Sequence, residues 1–330
     1  MTAFGALADG RPVERLRISG GGLTADVLTY GTVVQDLRLE GHDKPLVLGF
    51  PEFAPYLTHS PYFGATAGRC ANRIRDGHLE LAGKTYQLDT NFLGKHSLHG
   101  GLVSMGKRLW AVADHSAASV TFAISLEDGE MGYPGQLDAT VTYSLCEGGI
   151  LDVVMHARTD APTLCNMAHH SYFNLGSDHV GSYLMRIAAD AYLPVDDELI
   201  PTGEIRPVGG TGMDFRECRP VSDGSPIDHN FCLAAARGAI RPVAWLTDQA
   251  SGVSLEVRTT EPGLQVYDGS RVNIAVPGHG GAKMGASCGI ALEPQVWPDA
   301  NHHPAFPQAV LVPGVDYVQH TQYVFTKDTP

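Results

Sequence analysis

The sequence predicts an all-β protein, built as one large antiparallel β-sandwich with very little helix, on three observations. Apolar and polar residues alternate over short runs, among them residues 120–126 and 137–145, and this period of two is typical of half-buried strands. The 38 glycines and 21 prolines are spread over the 330 residues and separate these runs, as turns do in β proteins. Helical periodicity is almost absent; residues 233–237 predict a turn or two of helix, which Gly238 would end.

Strand and turn signals follow one another from the N-terminus. In the first forty residues, short apolar runs are broken by glycines at residues 20–22 and at Gly31, which predicts a strand-turn-strand order. Further on, residues 137–145 and 151–157 both alternate and are joined by Glu147-Gly148-Gly149. These two runs predict a hairpin, and therefore antiparallel neighbours.

A second hairpin and the domain organisation follow from the rest of the chain. Val243 and Trp245 lie two positions apart, apolar and polar residues alternate over residues 253–257, and a turn at residues 248–252 separates the two runs. The two runs predict a second hairpin. Neither a linker-like composition shift nor a fixed repeat divides the chain, so a single domain spanning residues 1–330 is predicted. A closed barrel or a propeller is the structural alternative, and the missing blade-length repeat disfavours the propeller.

Composition and charge exclude several classes of function. With 36 acidic and 23 basic residues, the net charge is −13, which repels phosphate backbones and anionic membrane surfaces. We therefore expect no nucleic-acid partner, no membrane partner and no strongly anionic substrate; a neutral small molecule fits better. The six cysteines form no C-x-x-C pair, which predicts reduced thiols and no structural metal. The N-terminus lacks the features of a secretion signal, so a cytoplasmic location is expected.

The stretch at residues 166–175 is the one around which the chain is organised. His169 and His170 are adjacent in extended sequence, so their imidazoles should point to opposite faces of a strand. A core strand has little reason to hold two imidazoles, because each buried polar group needs a hydrogen-bond partner. A cleft beneath at least one of them is therefore expected, with ordinary structural histidines as the alternative.

Further segments place polar groups in strand-like sequence. Arg69, Asn72 and Arg73 lie close together with few carboxylates beside them, and an unpaired buried arginine is costly. At least one arginine should therefore meet a carboxylate or a polar ligand, with a surface position or a structural ion pair as the alternative, above all for Arg69. His99 precedes two glycines that allow close backbone approach. Asp228 lies among apolar neighbours, either as a ligand-binding carboxylate or as part of a turn.

A carboxylate in residues 289–297 is the strongest candidate for acid–base chemistry. Ile290 and Leu292 share one face of the predicted strand. Glu293 shares the opposite face with Ala291 and so projects from an otherwise apolar strand. Removal from water raises the pKa of a carboxyl group toward the range useful for proton transfer. A glutamate paired with an arginine for structural reasons is the alternative.

These motifs, in this order, resemble the aldose 1-epimerase family over nearly the whole chain. The matching segments are G-R-C-A-N-R-I at 68–74, L-H-G-G at 98–101, N-M-A-H-H-S-Y-F-N-L at 166–175, D-H-N-F at 228–231, T-E-P-G-L-Q-V-Y at 260–267 and L-E-P-Q-V-W-P-D-A-N at 292–301. The resemblance implies a galactose mutarotase-like supersandwich with an open sugar cleft. It also implies interconversion of the α and β anomers of a free aldose, such as galactose or glucose, without metal or other cofactor.

The resemblance also implies roles for individual residues, carried over position by position. It implies Glu293 as the general base and His170 as the general acid of ring opening. It implies that the residues holding the hydroxyls and ring of the sugar are Asn72, Arg73, His99, Tyr172, Asp228 and Gln265. Arg73 is preferred to Arg69 because the sugar contact of the family matches the Asn-Arg pair.

Two rival functions stand beside the mutarotase. A hexose-6-phosphate epimerase needs a cationic pocket for a dianion, which Asp228 and Glu293 disfavour. A sugar-binding protein without catalysis would not need His170 together with Glu293. The preferred aldose, the state as monomer or homodimer and the role of His169 stay open. Departures from the family pattern occur at Cys70, residues 211–214 and the His302-His303 pair.

Overall fold

The computed structural model describes residues 1–222 and 226–328. Within these ranges the strands, in chain order, are β1 (Thr2–Ala6), β2 (Pro12–Gly20), β3 (Leu23–Leu28), β4 (Val34–Leu39), β5 (Ala65–Ala67), β6 (Arg73–Ile74), β7 (His78–Leu81), β8 (Lys84–Gln87), β9 (Ser97–Leu98), β10 (Ala111–His115), β11 (Ser119–Leu126), β12 (Leu137–Cys146), β13 (Ile150–Thr159), β14 (Thr163–Leu164), β15 (Ala168–His170), β16 (Tyr172–Phe173), β17 (Leu184–Ile187), β18 (Ala191–Leu193), β19 (Arg206–Pro207), β20 (Arg219–Pro220), β21 (Asp228–Cys232), β22 (Arg241–Asp248), β23 (Val253–Thr259), β24 (Gly263–Tyr267), β25 (Ile290–Gln295), β26 (Val310–Leu311) and β27 (Tyr317–Lys327). The helices are α1 (Ala54–Thr58) and short 3₁₀ turns at Arg75–Gly77, Met105–Lys107, Glu130–Gly132, Val180–Ser182, His279–Gly281 and Ala300–His302. The predicted all-β class with very little helix is confirmed.

The largest sheet joins nine antiparallel strands in the order β10-β11-β12-β13-β27-β23-β22-β17-β20. Both predicted hairpins lie in it, because β12 pairs with β13 and β22 pairs with β23. The last strand of the chain, β27, lies between the hairpins and pairs with β13 and β23. The C-terminal strand thereby joins two hairpins that are far apart in the sequence.

The main core lies between this sheet and two smaller ones. The N-terminal strands form a four-stranded sheet, β1-β2-β3-β4, and a six-stranded sheet runs in the order β16-β25-β24-β21-β18-β19. Val153 of the large sheet belongs to one buried cluster with Ile18 of the four-stranded sheet and Leu292 of the six-stranded sheet. Burial of these apolar side chains between facing layers drives folding and produces the predicted sandwich.

The helical turns predicted at residues 233–237 are wrong. The segment is irregular, and the backbone N–H groups of Leu233 and Ala234 both donate to the carbonyl oxygen of Pro262. These tertiary hydrogen bonds tie the start of the segment to Pro262, and the weak local preference for helix is overridden. The short helix α1 instead carries a proline in its first turn, where the missing N–H costs nothing. Among the described residues, no helix is both long and apolar enough to cross a membrane.

Short strands bring the predicted chemistry together on the layer that faces the large sheet. β15 pairs antiparallel with β5, and His170 lies opposite Ala65. β25 pairs with β16 on one side and with β24 on the other, which places Glu293 opposite Gln265. β21 continues the same sheet beyond β24 and carries Asp228. Residues from distant motifs therefore meet on neighbouring strands.

Candidate active site

The two adjacent histidines of β15 face opposite sides of the strand, as the period of two predicts. His169 points into the core, where its Nδ1 lies 3.3 Å from the hydroxyl oxygen of Tyr143 and its ring lies 5.7 Å from the ring of Tyr323. His170 points the other way, and its Nε2 lies 3.5 Å from Oε1 of Glu293. The predicted separation of the two imidazoles is confirmed.

Glu293 projects from β25 toward His170 because of the same alternation. Ile290 and Leu292 lie in the main core, whereas Ala291 packs in a separate apolar cluster on the other side of the strand. Glu293 is 2% exposed, and within the described residues its Oε2 atom has no hydrogen-bond partner. A buried oxygen without a partner is costly, so Oε2 is available to a hydroxyl group of a ligand.

Burial shifts the proton affinities of this pair in opposite directions. It raises the pKa of Glu293 well above the usual range of a carboxyl group, with Asp228 adding to the rise and Arg73 opposing it. Burial lowers the pKa of His170 to about 4. Both shifts favour uncharged groups. At any pH between the pKa of His170 and the raised pKa of Glu293, the pair therefore holds a single proton. Such a pair can give a proton from one member and accept one on the other.

His99 brings a third imidazole to the same place. Its ring centroid lies 5.0 Å from that of His170. Nδ1 of His99 accepts a hydrogen bond of 3.2 Å from the backbone N–H of Asn72, so the hydrogen of the neutral ring is assigned to Nε2. Burial and, to a lesser extent, His170 hold the pKa of His99 well below its usual range. His99 is therefore a neutral hydrogen-bond donor at pH 7.

By distance alone, His99, His170 and Glu293 are able to hold a metal ion. One ligand-type atom from each lies within 4.8 Å of the others. A metal on Nε2 of His99 would require the ring hydrogen to be on Nδ1, but Nδ1 accepts the backbone N–H of Asn72. The tautomer of His99 thus disfavours a metal ligand and favours a hydrogen bond to an oxygen atom.

Four of the predicted sugar contacts form a polar cluster beside the pair. Nη2 of Arg73 lies 3.4 Å from Oδ2 of Asp228, and Nε2 of Gln265 donates to Oδ1 of Asp228 over 2.7 Å. Oδ1 of Asn72 accepts the backbone N–H of Arg73 over 2.8 Å. The guanidinium of Arg73 also lies 4.8 Å from the ring centroid of Phe92, a cation–π distance. Neighbouring groups therefore fix the cluster before a ligand binds.

Tyr172 lies behind His170 rather than among these polar groups. Its ring stacks on the imidazole of His170 with a centroid distance of 5.2 Å. On its other sides it packs against Phe63 and Tyr267. This packing fixes the plane of the imidazole. A direct contact between Tyr172 and a sugar stays a prediction.

Arg69 and the His302-His303 pair take structural positions outside the cluster. Arg69 is 2% exposed, and its Nη1 donates to the carbonyl oxygens of Pro134 and Gly135 over 3.1 and 2.6 Å. A surface position for Arg69 is therefore wrong, and carbonyl groups take the place of the ion pair considered as the alternative. Both histidines of the His302-His303 pair face the buried carboxylate of Asp299.

The structure brings to the cleft two aromatic residues that the sequence analysis did not single out. Phe92 covers the guanidinium of Arg73. Tyr62 has its ring centroid 4.6 Å from that of His99 and 5.9 Å from that of His170. Both aromatic residues lie in loops, where no periodicity marks a side chain as buried or functional. Their roles depend on contacts between distant parts of the chain, which the sequence alone does not display.

Comparison with known proteins agrees with this geometry. A family model described as aldose 1-epimerase matches residues 14–324. The galactose mutarotase of Mus musculus is 40% identical over 98% of each chain, and the aldose 1-epimerase of Escherichia coli K12 is 32% identical over 96% of each chain. The solved GalM/aldose epimerase homologue from C. elegans has a TM-score of 0.89 and 31% identity, with 96% of this chain and 100% of that chain covered. This chain belongs to the aldose 1-epimerase family.

Proposed function

We propose that this protein is a mutarotase, which interconverts the α and β anomers of a free aldose by acid–base ring opening. The observation that carries the proposal is the contact of two buried ionisable groups, Nε2 of His170 and Oε1 of Glu293, at 3.5 Å. Beside them, Asp228, Arg73 and Gln265 form a cluster suited to sugar hydroxyls. Membership of the family supports the same reaction.

Exchange of anomers requires one proton to leave the sugar and one to arrive. The reactive form is the one in which the shared proton is on His170 and Glu293 is ionised. Glu293 then takes the proton of the C1 hydroxyl as general base, and His170 gives its proton to the ring oxygen as general acid, while the bond between C1 and the ring oxygen breaks. Rotation about the C1–C2 bond presents the other face of the aldehyde, and the reverse transfers close the ring. The pair holds one proton before and after ring opening, so the reaction takes up no proton from solvent.

The surroundings of the pair reduce the cost of moving this proton. Burial favours the arrangement in which His170 and Glu293 are both uncharged. Their separation of 3.5 Å favours the alternative, a charged pair, by Coulomb attraction. The charged pair is the state before ring opening, and the uncharged pair is the state after it. Opposing influences therefore bring these states closer in free energy.

The remaining cleft residues hold the sugar in this proposal. An ionised Asp228 accepts hydrogen bonds from hydroxyl groups, and Arg73 and Gln265 fix its carboxylate over 3.4 and 2.7 Å. Nε2 of His99 donates to the ring oxygen, where negative charge develops as the ring opens. The amide of Asn72 offers a further polar contact next to Arg73.

Galactose is the first substrate to test among the free aldoses. Relatives carry the names galactose mutarotase and galactose 1-epimerase, and no step described above requires a metal or an organic cofactor. We also propose that residues 1–330 act as one domain, since β13 and β27, far apart in the chain, are neighbours in one sheet. A monomeric or homodimeric state and a cytoplasmic location stay predictions.

A polarimetric panel with the purified protein tests the proposed function. Freshly dissolved α-galactose, α-glucose, xylose and arabinose are followed to anomeric equilibrium with and without protein, and galactose 6-phosphate is the comparison substrate. We expect faster equilibration of at least one free aldose, and little effect on the phosphate, because Asp228 already compensates the charge of Arg73.

Three results of the panel would contradict this proposal. The first is that no free aldose equilibrates faster than in buffer. The second is acceleration of the phosphorylated sugar alone, which favours a hexose-6-phosphate epimerase. The third is calorimetric binding of a free aldose without acceleration, which favours a sugar-binding protein.

A further inference from the structure

Tyr62 lies against both imidazoles of the cleft without belonging to the polar cluster. Its ring is 4.6 Å from that of His99 and 5.9 Å from that of His170, centroid to centroid, and nearly parallel to the latter with an interplanar angle of 23°. The amine of Lys107 lies 5.3 Å from the centroid of the Tyr62 ring. Tyr62 therefore contacts a cation as well as the two histidines that the proposed reaction requires.

The backbone holds Tyr62 in this place through bonds to the strand of His170. Tyr62 has a positive φ of 66°, which is uncommon for an aromatic residue and persists where the surrounding structure enforces it. Its carbonyl oxygen accepts the N–H of Ala65 over 3.0 Å, and the N–H of Gly64 donates to the carbonyl of His170, also over 3.0 Å. The turn that carries Tyr62 is thus hydrogen-bonded to the backbone of His170.

We propose that Tyr62 is a positioning residue, whose ring covers His99 and His170 and keeps water away from them. This inference rests on the proposed function and adds a residue to it. Burial raises the pKa of Tyr62 to about 12, so the phenol keeps its proton at neutral pH and is a weak acid and no base there. The contribution of Tyr62 is therefore the shape and apolar surface of its ring.

Water exclusion at this place has a measurable consequence for the two histidines. Burial is the largest cause of the lowered pKa of His170, about 4, and of the lowered pKa of His99. If the ring of Tyr62 is removed, water reaches both imidazoles and their pKa values should rise toward the ordinary value of about 6.5. Among the residues that the structure describes, the other titratable or charged groups that face the two imidazoles are Arg73, Lys107, His169, Tyr172, Asp228 and Glu293.

Removal of Tyr62 adds and removes no charged group, and closer approach of Lys107 would lower the pKa of His99, so a rise in the pKa values reports hydration. Tyr62→Ala removes the ring, whereas Tyr62→Phe keeps it and loses only the hydroxyl. Tyr86→Ala is the matched control, because Tyr86 is also a half-buried tyrosine but packs in a different apolar cluster, away from the cleft. Tyr62→Leu keeps part of the apolar volume and serves as the test if the alanine variant does not fold.

NMR titration of ¹³C-labelled histidines in the full-length protein between pH 3 and 8, a range that includes the parental midpoint of His170 near pH 4, is the direct measurement. Signals of His99 and His170 are assigned with the variants His99→Asn and His170→Asn. We expect both midpoints to rise by about one pH unit or more in Tyr62→Ala, and by a smaller amount in Tyr62→Leu. Tyr62→Phe and Tyr86→Ala should keep the parental midpoints.

A kinetic measurement in the same pH range follows the same variants. Mutarotation by the parent should change little between pH 5 and 7, whereas Tyr62→Ala should lose turnover toward pH 5, because a charged His99 opposes protonation of His170. Parental midpoints for both histidines in a folded Tyr62→Ala or Tyr62→Leu protein would overturn the inference. The NMR titration does not depend on turnover, so a protein without mutarotase activity would contradict the proposed function and still decide the role of Tyr62.

Discussion

The core-facing and cleft-facing sides of β15 carry the same residue type but provide different chemistry. On the core side, His169 contacts the hydroxyl of Tyr143, and burial lowers its pKa to about 3. On the cleft side, His170 meets Glu293. Both imidazoles are buried and uncharged at pH 7, so burial alone does not distinguish them. The difference teaches that the partner, a second group able to take the proton, makes a buried histidine useful for catalysis.

The two arginines of residues 68–74 repeat this contrast. The carbonyl oxygens of Pro134 and Gly135 accept charge-assisted hydrogen bonds from Arg69 within the core. Arg73 faces Asp228 at 3.4 Å, and within the described residues its Nε atom has no hydrogen-bond partner. A guanidinium enclosed by carbonyls stabilises the fold, whereas one with a free donor beside a cleft retains capacity for a ligand.

The largest effect on the cleft side is expected from Glu293→Gln. This change keeps the shape and one hydrogen-bonding oxygen but removes basicity, so mutarotation of galactose should fall by about 10²–10⁴-fold. Galactose affinity should stay near the parental value, because an interaction needed in the transition state lowers turnover rather than binding. Polarimetry measures the first effect and calorimetric titration with galactose the second.

Glu261 offers the matched core-side control for that experiment. It is a fully buried carboxylate that pairs with Arg237 rather than with a cleft residue. Glu261→Gln should lower the thermal midpoint and leave mutarotation near the parental rate at temperatures where the variant is folded. Near-parental mutarotation in Glu293→Gln would remove this residue as the base. An equal loss of mutarotation in both variants would mean that the cleft-facing and core-facing carboxylates do not differ in catalysis.

The next largest effects are expected from Arg69 and Arg73, one on the stability of the fold and the other on the affinity for galactose. Arg69→Met should lower the free energy of unfolding by about 2–4 kcal/mol, because two buried carbonyl groups lose their donor. Arg73→Met should mainly weaken galactose binding. Chemical denaturation and calorimetry on both variants measure the two quantities. The contrast is wrong if Arg73→Met is the more destabilising change, or if Arg69→Met loses affinity without stability.

Asp228→Ala should produce a smaller effect, confined to binding. Loss of one polar contact to the sugar should weaken galactose affinity by about 1–3 kcal/mol. Asp152→Ala is a suitable control, because Asp152 is also half-buried but binds His320 on the large sheet. Calorimetric titration should find parental affinity in the control, and parental affinity in Asp228→Ala as well would place Asp228 outside the sugar site.

The pH dependence of the parent protein provides the mildest test of the pair. The pKa of His170 is lowered to about 4 and that of Glu293 is raised, so turnover should be nearly constant between these values, where the pair holds one proton. Below about pH 4 a second proton occupies the pair and no base remains; above the raised pKa of Glu293 the shared proton is lost. A bell-shaped profile of kcat/KM is expected, and an acidic limb near pH 6.5 would contradict it.

The faces of β15 and β25 were accessible to sequence analysis because alternation is a local property of a strand. His169 and His170 separate as the period of two requires, and Glu293 lies on the face opposite Leu292. The two hairpins of the large sheet were predicted on the same basis. Local rules therefore gave the fold class and the orientation of the paired residues.

Features that depend on tertiary contacts were not predictable in the same way. Tyr62 reaches His99 and His170 from a turn with a positive φ, which no residue pattern marks. Residues 233–237 are irregular instead of helical, and the N–H groups of Leu233 and Ala234 donate to Pro262, which is distant in sequence. Tertiary contacts, which the local sequence does not display, decided the structure in that segment.

The most direct test of the central claim is a comparison of His170→Asn with His169→Asn by polarimetry on galactose at pH 7. Both changes replace a buried imidazole of the same strand by the same amide. His170→Asn should lower turnover by about 10²–10⁴-fold, whereas His169→Asn should cost less than about tenfold, or 1.4 kcal/mol of activation free energy, in the folded protein. Equal losses in the two variants would contradict the claim that the cleft-facing partner, and not burial, makes His170 the acid.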